Sequence, residues 1–129
     1  MPEPRLTGLA PVIDRRARVL ILGSFPSTAS LAAGQYYAHP QNQFWRVLGA
    51  VLGQPLKEMP YGSRLKAVTA AGIGIWDIYA SCERSGSLDS AIREAKANDF
   101  AALAESAPAL RRICFNGRTA GGAERYPTE

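Results

Sequence analysis

Cysteine, methionine and histidine are all scarce in this chain of 129 residues, which has two, two and one of them. Two thiols, Cys82 and Cys114, form neither a disulfide framework nor a metal quartet, and their scarcity fits a reducing, cytoplasmic setting. With His39 as the single histidine, and no nucleophile elbow around Ser24 or Ser27, a serine triad is set aside. No apolar run approaches the ~18 residues of a membrane span. The start, MPEPRLTGLAPVIDRRARV, has no apolar stretch ending in a small-residue cleavage site, so no signal peptide is read there. No G-x-x-x-x-G-K-[ST] and no G-x-G-x-x-G follows any strand-like run, which removes the common nucleotide-binding loops. Internal repeats and low-complexity tracts are absent as well.

What remains is ordinary globular composition: 47% apolar and 20% charged residues, with a net charge of +4. Residues 1–129 fit one domain able to bury roughly two-thirds of its unfolded surface. The mild basic excess permits a polyanionic partner without demanding one. Residues 1–17, with three prolines and the cluster Asp14-Arg15-Arg16, read as a lead-in segment.

Three short apolar runs then stand out: Arg18-Val-Leu-Ile-Leu-Gly23, Ile73-Gly-Ile-Trp-Asp-Ile78 and Arg112-Ile-Cys-Phe-Asn116. Each is bounded by glycine, as suits strands buried on both faces of a parallel sheet. Helical patterns lie between them. Phe44, Val47, Leu48, Val51 and Leu52 form one stripe, ended by Gly53 and Pro55. Ser63 caps a helix carrying Leu65 and Val68, and Ser87 one carrying Leu88, Ala91, Ile92 and Ala95. Asn98 caps a last helix with Phe100, Leu103, Ala104 and Ala107, stopped by Pro108. This alternation predicts an α/β fold, a three-layer α/β/α sandwich on a short parallel sheet. The 13 residues after Asn116 are too few for a crossover and a further strand, which leaves three strands and an open edge.

The chemistry is concentrated in Gly23-Ser-Phe-Pro-Ser-Thr-Ala-Ser-Leu31 and Gln35-Tyr-Tyr-Ala-His-Pro-Gln-Asn-Gln-Phe-Trp45. The first begins at the carboxyl end of a strand, where open α/β sheets place ligands. The second offers aromatic faces beside side-chain amides, which suit stacking and edge hydrogen bonds to a planar heterocycle. Together the two stretches resemble the uracil-DNA glycosylase superfamily, most closely its hypoxanthine-DNA (deoxyinosine) glycosylase branch. Gly74-Ile-Trp-Asp-Ile78, Ser81-Cys-Glu-Arg-Ser-Gly-Ser-Leu-Asp89, Asn98-Asp-Phe100 and Cys114-Phe-Asn-Gly-Arg-Thr-Ala-Gly121 are similar to the same branch, so the resemblance spans about residues 7–121.

The resemblance implies a parallel sheet with helices on both faces. It also implies hydrolysis, during base excision repair, of the bond joining a deaminated base (hypoxanthine or uracil) to deoxyribose in DNA. Such an enzyme acts without metal or cofactor; the chain itself is expected to be a monomer in the cytoplasm. Asn42 is then the catalytic residue, which holds the attacking water or contacts the flipped base. Gly23, Ser24, Phe25 and Pro26 form the turn against the base, Tyr37 stacks on it, and His39 is a further base-binding residue. Arg118 reaches a DNA phosphate. The superfamily's second active-site motif, on a loop after a fourth strand, has no counterpart in Gly121-Gly-Ala-Glu-Arg-Tyr-Pro-Thr-Glu129. The resemblance therefore implies a C-terminally shortened domain without that strand. The alternative function is a non-catalytic relative that binds DNA or a free base weakly.

Plainer roles stand beside these. Asn42 precedes a helix and can cap it, worth about 1 kcal/mol; an amide is no strong base, so its catalytic part is to orient water. Asp77 reads as a cap or loop hydrogen bond, and on paper it pairs with Glu83 as two acids. Glu83 and Arg84 border the pocket. Cys114 reads as a buried strand residue and Cys82 as a loop thiol. Arg15, Arg16 and Arg18 form a solvated charged approach to the first strand, and Trp45 and Trp76 belong to the core.

Overall fold

The computed structural model of the chain describes residues 5–117. Along them run β1 (Arg5–Thr7), β2 (Val19–Gly23), α1 (Thr28–Ala33), α2 (Phe44–Leu52), α3 (Tyr61–Ala70), β3 (Ile73–Asp77), β4 (Tyr79–Glu83), β5 (Arg93–Ala97), α4 (Phe100–Ser106) and β6 (Arg112–Phe115). The three apolar runs of the sequence become β2, β3 and β6. They form one parallel sheet in the order β3-β2-β6, with Gly23 beside Asp77 and Leu22 beside both Trp76 and Phe115. The central strand is the most continuously apolar one, as a strand with neighbours on both sides should be.

The pleat sends alternate residues to opposite faces. Trp76 points to the face where it meets Phe100 of α4, ring centroids 5.4 Å apart. Val19, Ile21 and Ile73 point the other way, into an apolar groove shared with Phe44, Leu48 and Val51 of α2. Helices thus lie on both faces, the three layers that the alternation of elements predicts. Leu20, Leu22, Trp45, Leu56, Val68 and Ile75 make the core between them. The helix over Phe44–Leu52 ends at Gly53 in the left-handed conformation, as its stripe and glycine predict. The expected fourth-strand gap and Arg118 lie outside the described residues.

Several expectations need correction. The lead-in is not separate: Arg5–Thr7 pairs antiparallel with β4, and Val12 bridges to Ile75 on the outer edge of β3. No helix follows Ser87. A 3-10 turn at Asp89–Ala91 leads into β5, which pairs with β4 in a second, antiparallel sheet of order β1-β4-β5. The apparent stripe there had nothing to cover, since Leu88 is exposed, and strand pairing overrides the helical propensity of Arg93-Glu-Ala-Lys-Ala97. The last helix starts one residue late: Asp99 caps it by accepting from the Ala102 N–H at 3.0 Å, while Asn98 donates its side-chain amide to the Asp77 carbonyl. The helix expected after Ser63 begins earlier, at Tyr61 behind Pro60. The cysteines exchange roles as well. Cys82 is fully buried in the middle strand β4, and Cys114 is exposed because, among the described residues, β6 is a sheet edge with little over it.

Candidate functional site

The ends of β2 and β3 lie side by side, which sets the Asp77 side chain directly over Gly23. A Cβ on Gly23 would stand 2.6 Å from Asp77 Oδ1 and 3.2 Å from the Tyr37 hydroxyl. Only glycine allows that approach. Beyond it the turn of Ser24, Phe25 and Pro26 is held from the β4 side. The Gly23 and Ser24 carbonyls accept from the Ile78 and Tyr79 N–H groups. The buried Arg84 guanidinium lies over the Phe25 ring and donates to the Pro26 carbonyl at 2.6 Å and to that of Gly86 at 2.7 Å. Ser27 then caps α1.

The aromatic loop is fixed as tightly. Tyr36 is core: its hydroxyl donates to the Ala10 carbonyl at 2.8 Å, and its own carbonyl accepts from the Trp45 indole. Tyr37 takes a positive φ of 54°, a costly conformation outside glycine, and its ring lies tilted by 42° to that of Tyr36, centroids 6.3 Å apart. The ring stacks on Phe44, centroids 3.8 Å apart. Ser30 Oγ accepts from the Ala38 N–H and anchors the loop's far side. Asn42 Oδ1 accepts from the Phe44 N–H at 2.8 Å, but α2 begins one residue later than expected, so Asn42 stands one position before the N-cap, Gln43, and is not the cap itself.

These elements enclose a cleft of about 160 Å³, lined by Gly23, Ser24, Phe25, Pro26, Tyr37, Asn42 and Asp77, with Asn116 at the β6 end. Six of the eight residues proposed from sequence for the site meet there. His39 sits in an exposed turn outside the cleft, where its Nδ1 accepts from the Gln41 N–H. Arg118 lies outside the described residues.

Sequence reasoning passed over three contributors. Asn116 closes β6 at the same carboxyl end of the sheet, and that position was the available signal. Asp89 reaches the cleft from the 3-10 turn and accepts from Ser24 Oγ at 2.6 Å, and Ser87 Oγ accepts from the Thr28 N–H. Both follow from the second sheet, for which the local pattern gave no sign. The acid paired with Asp77 is thus Asp89 and not Glu83, which faces Arg5 at 3.8 Å on the surface of that sheet. Arg16 bridges to Asp14, in keeping with a solvated approach to β2.

Asp77 is 4% exposed, and its Oδ2 has no hydrogen-bond partner among the described residues. Burial, then the nearby Asp89 charge, push its carboxyl up to about 7, against a smaller pull from Arg84. Burial likewise raises the Tyr37 hydroxyl to about 12. Among the described residues no three His, Cys, Asp or Glu side chains gather into a metal-binding group, and no helix is long and apolar enough to cross a membrane. Chemically, the cleft offers an aromatic ring, two side-chain amides and a protonatable carboxyl around a space suited to one planar heterocycle.

The family profile described as "Uracil DNA glycosylase superfamily" matches residues 10–124. The chain belongs to the uracil DNA glycosylase superfamily. Within it, this chain is 45% identical over 117 residues to a hypoxanthine DNA glycosylase of Methanosarcina acetivorans, covering 91% of this chain and 74% of that protein. It is 41% identical, over the same shares, to the protein of that name from Methanosarcina barkeri. A solution NMR structure of a uracil DNA glycosylase candidate from Methanosarcina acetivorans superposes with a TM-score of 0.85 at 43% identity. That match covers 95% of this chain and 76% of the other, and it extends the superfamily fold over both sheets.

Proposed function

We propose that this member of the superfamily is a DNA glycosylase that hydrolyses the N-glycosidic bond of hypoxanthine in DNA. The observation that carries the reading is the convergence of Tyr37, Asn42 and the Gly23–Pro26 turn on one cleft, in a chain whose relatives are hypoxanthine DNA glycosylases. A base cannot be reached inside the duplex, so it is extruded into the cleft and stacks on Tyr37, which Phe44 backs. The backbone of Ser24 and Phe25 faces the base and supports charge that develops on it. Asn42 orients water at the edge of the cleft, and the sugar carbon takes it up as oxocarbenium character develops. Arg118 adds a phosphate contact that gives no sequence preference but makes binding salt-dependent. The chain acts as a monomer, without metal or cofactor, in the cytoplasm.

The test is release of free base from single- and double-stranded oligonucleotides carrying deoxyinosine or deoxyuridine. Hypoxanthine should be released, and Tyr37→Ala should weaken binding of the lesion strand by about 1–3 kcal/mol, the usual worth of base–aromatic stacking. Asn42→Ser keeps a side-chain oxygen able to accept from the Phe44 N–H and should slow single-turnover release while leaving the melting temperature near wild type. Binding of lesion DNA without any release would make the chain a non-catalytic relative instead.

A further inference from the structure

Asp77 belongs to no step of that scheme, yet it is the most enclosed charged group at the cleft. It projects from the end of β3 over Gly23, it is 4% exposed, and its Oδ2 is buried and unpartnered among the described residues. A buried polar atom left without a partner costs free energy, on the order of 1–3 kcal/mol, unless something that binds there satisfies it. The structure keeps the group in place by other means. Its main-chain carbonyl accepts from Asn98 at 2.7 Å, and the neighbouring Ile78 N–H is bound to Gly23. The backbone is therefore fixed while the carboxyl is left facing the cleft.

The hypoxanthine base has its N7 and O6 acceptors on one edge, the edge it shares with guanine. As the bond from N9 breaks, electron density collects on the imidazole ring, and N7 is the acceptor of that ring. A carboxyl is one of the few groups able to supply a proton there.

We propose that Asp77 is a further catalytic residue of this site, whose carboxyl donates a proton to N7 of the extruded purine as the bond between N9 and C1′ breaks. The inference rests on the glycosylase reading above. The electron pair of the N9–C1′ bond goes to the base, which the proton on N7 renders neutral. The water oxygen held near Asn42 bonds to C1′, and the proton it sheds passes through solvent to restore the Asp77 carboxyl. The groups that face Asp77 favour this role in sum. Asp89 on the 3-10 turn opposes its ionisation, as does burial, while Arg84 after β4 acts the other way. The Tyr36 and Tyr37 hydroxyls from the loop before α2 remain neutral, since burial raises both. The carboxyl thus holds its proton up to about pH 7.

The experiment compares single-turnover excision of hypoxanthine with excision of its 7-deaza analogue, in which C–H replaces N7, for the wild type and Asp77→Asn. Asparagine keeps the shape and can donate a hydrogen bond but cannot transfer a proton. Hypoxanthine excision should fall about 100-fold or more in the variant, the usual scale of general acid catalysis. Excision of the 7-deaza base, already slow, should change by no more than about threefold, because the partner of Asp77 is gone. The wild-type rate should also decline as pH rises through 7, and the Asp77→Asn rate should not. Equal slowing of both bases, or slowing of neither, overturns the proposal.

A second arm needs no turnover: titration with free hypoxanthine and free 7-deazahypoxanthine. The wild type should prefer hypoxanthine by about tenfold, and Asp77→Ala, which has no donor, should not, as expected when one buried hydrogen bond to N7 is lost. If the chain releases no base, the glycosylase reading falls and this arm alone decides. Equal wild-type affinity for the two bases would then refute a donor at Asp77.

Discussion

On one side of β2, strand β3 is enclosed: Ile75 is fully buried, Trp76 packs against α4, and Val12 and Ile13 run along its outer edge and close over Gly74. On the other side, β6 leaves Arg112, Ile113 and Cys114 exposed and has no further strand beside it among the described residues. Both strands pair with β2 in the same parallel register, so hydrogen bonding does not separate them. Packing does. The enclosed flank delivers the buried carboxyl of Asp77 to the cleft, and its low-dielectric surroundings are what move that carboxyl from the ordinary range. The open flank delivers Asn116, an uncharged amide whose usefulness does not depend on burial, tied to β2 by its own N–H on the Leu22 carbonyl at 2.7 Å. The two walls of one cleft thus differ in what chemistry they can support.

The comparison is broken most sharply by cutting into the enclosed flank. Ile75→Ala should destabilise the protein by about 2–5 kcal/mol, the range for large-to-small changes in a packed core. A shift in denaturation midpoint well under that range would mean that β3 is no better held than β6.

A smaller effect comes from the carboxyl that the enclosure creates. The folded-state value of Asp77 is raised to about 7, from an ordinary 3.8, so the folded protein keeps a proton that the unfolded chain has already lost. Its contribution to stability is fully present below pH 3.8 and is lost as pH rises through about 7. Asp77→Asn should therefore be more stable than wild type at pH 8, by at most about 4 kcal/mol and by less where the site relaxes around the charge, with the difference vanishing near pH 4. Melting curves across that interval would show it, and parallel curves for the two proteins would contradict it.

The least effect is expected on the open flank. Ile113→Ser removes a side chain that is 48% exposed, and its change should stay within about ±0.5 kcal/mol, as for surface positions generally. A loss comparable to that of Ile75→Ala would show that the β6 face is covered in solution.

Much of this molecule is legible from residue order because the controlling interactions are local or periodic. Continuous apolar runs bounded by glycine mark β2, β3 and β6, since a strand covered on both faces has no polar side to display. The stripe Phe44–Leu52 with Gly53 marks α2 by the same logic of one buried face and a left-handed stop. The motif-bearing loops on either side of α1 place Gly23, Tyr37 and Asn42 in one cleft because they span the carboxyl end of a strand. Other features were decided only by tertiary structure. The second sheet joins Arg5–Thr7 to residues far along the chain, and β5 is exposed along its length, so no periodic pattern marks it. Asp89 reaches the cleft only through that sheet, and the burial of Asp77 depends on neighbours drawn from β2, the aromatic loop and the β4 side together. A strand or helix is set by the spacing of its own residues. A carboxyl's proton affinity is set by whatever the folded chain brings around it, and no spacing in the sequence encodes that.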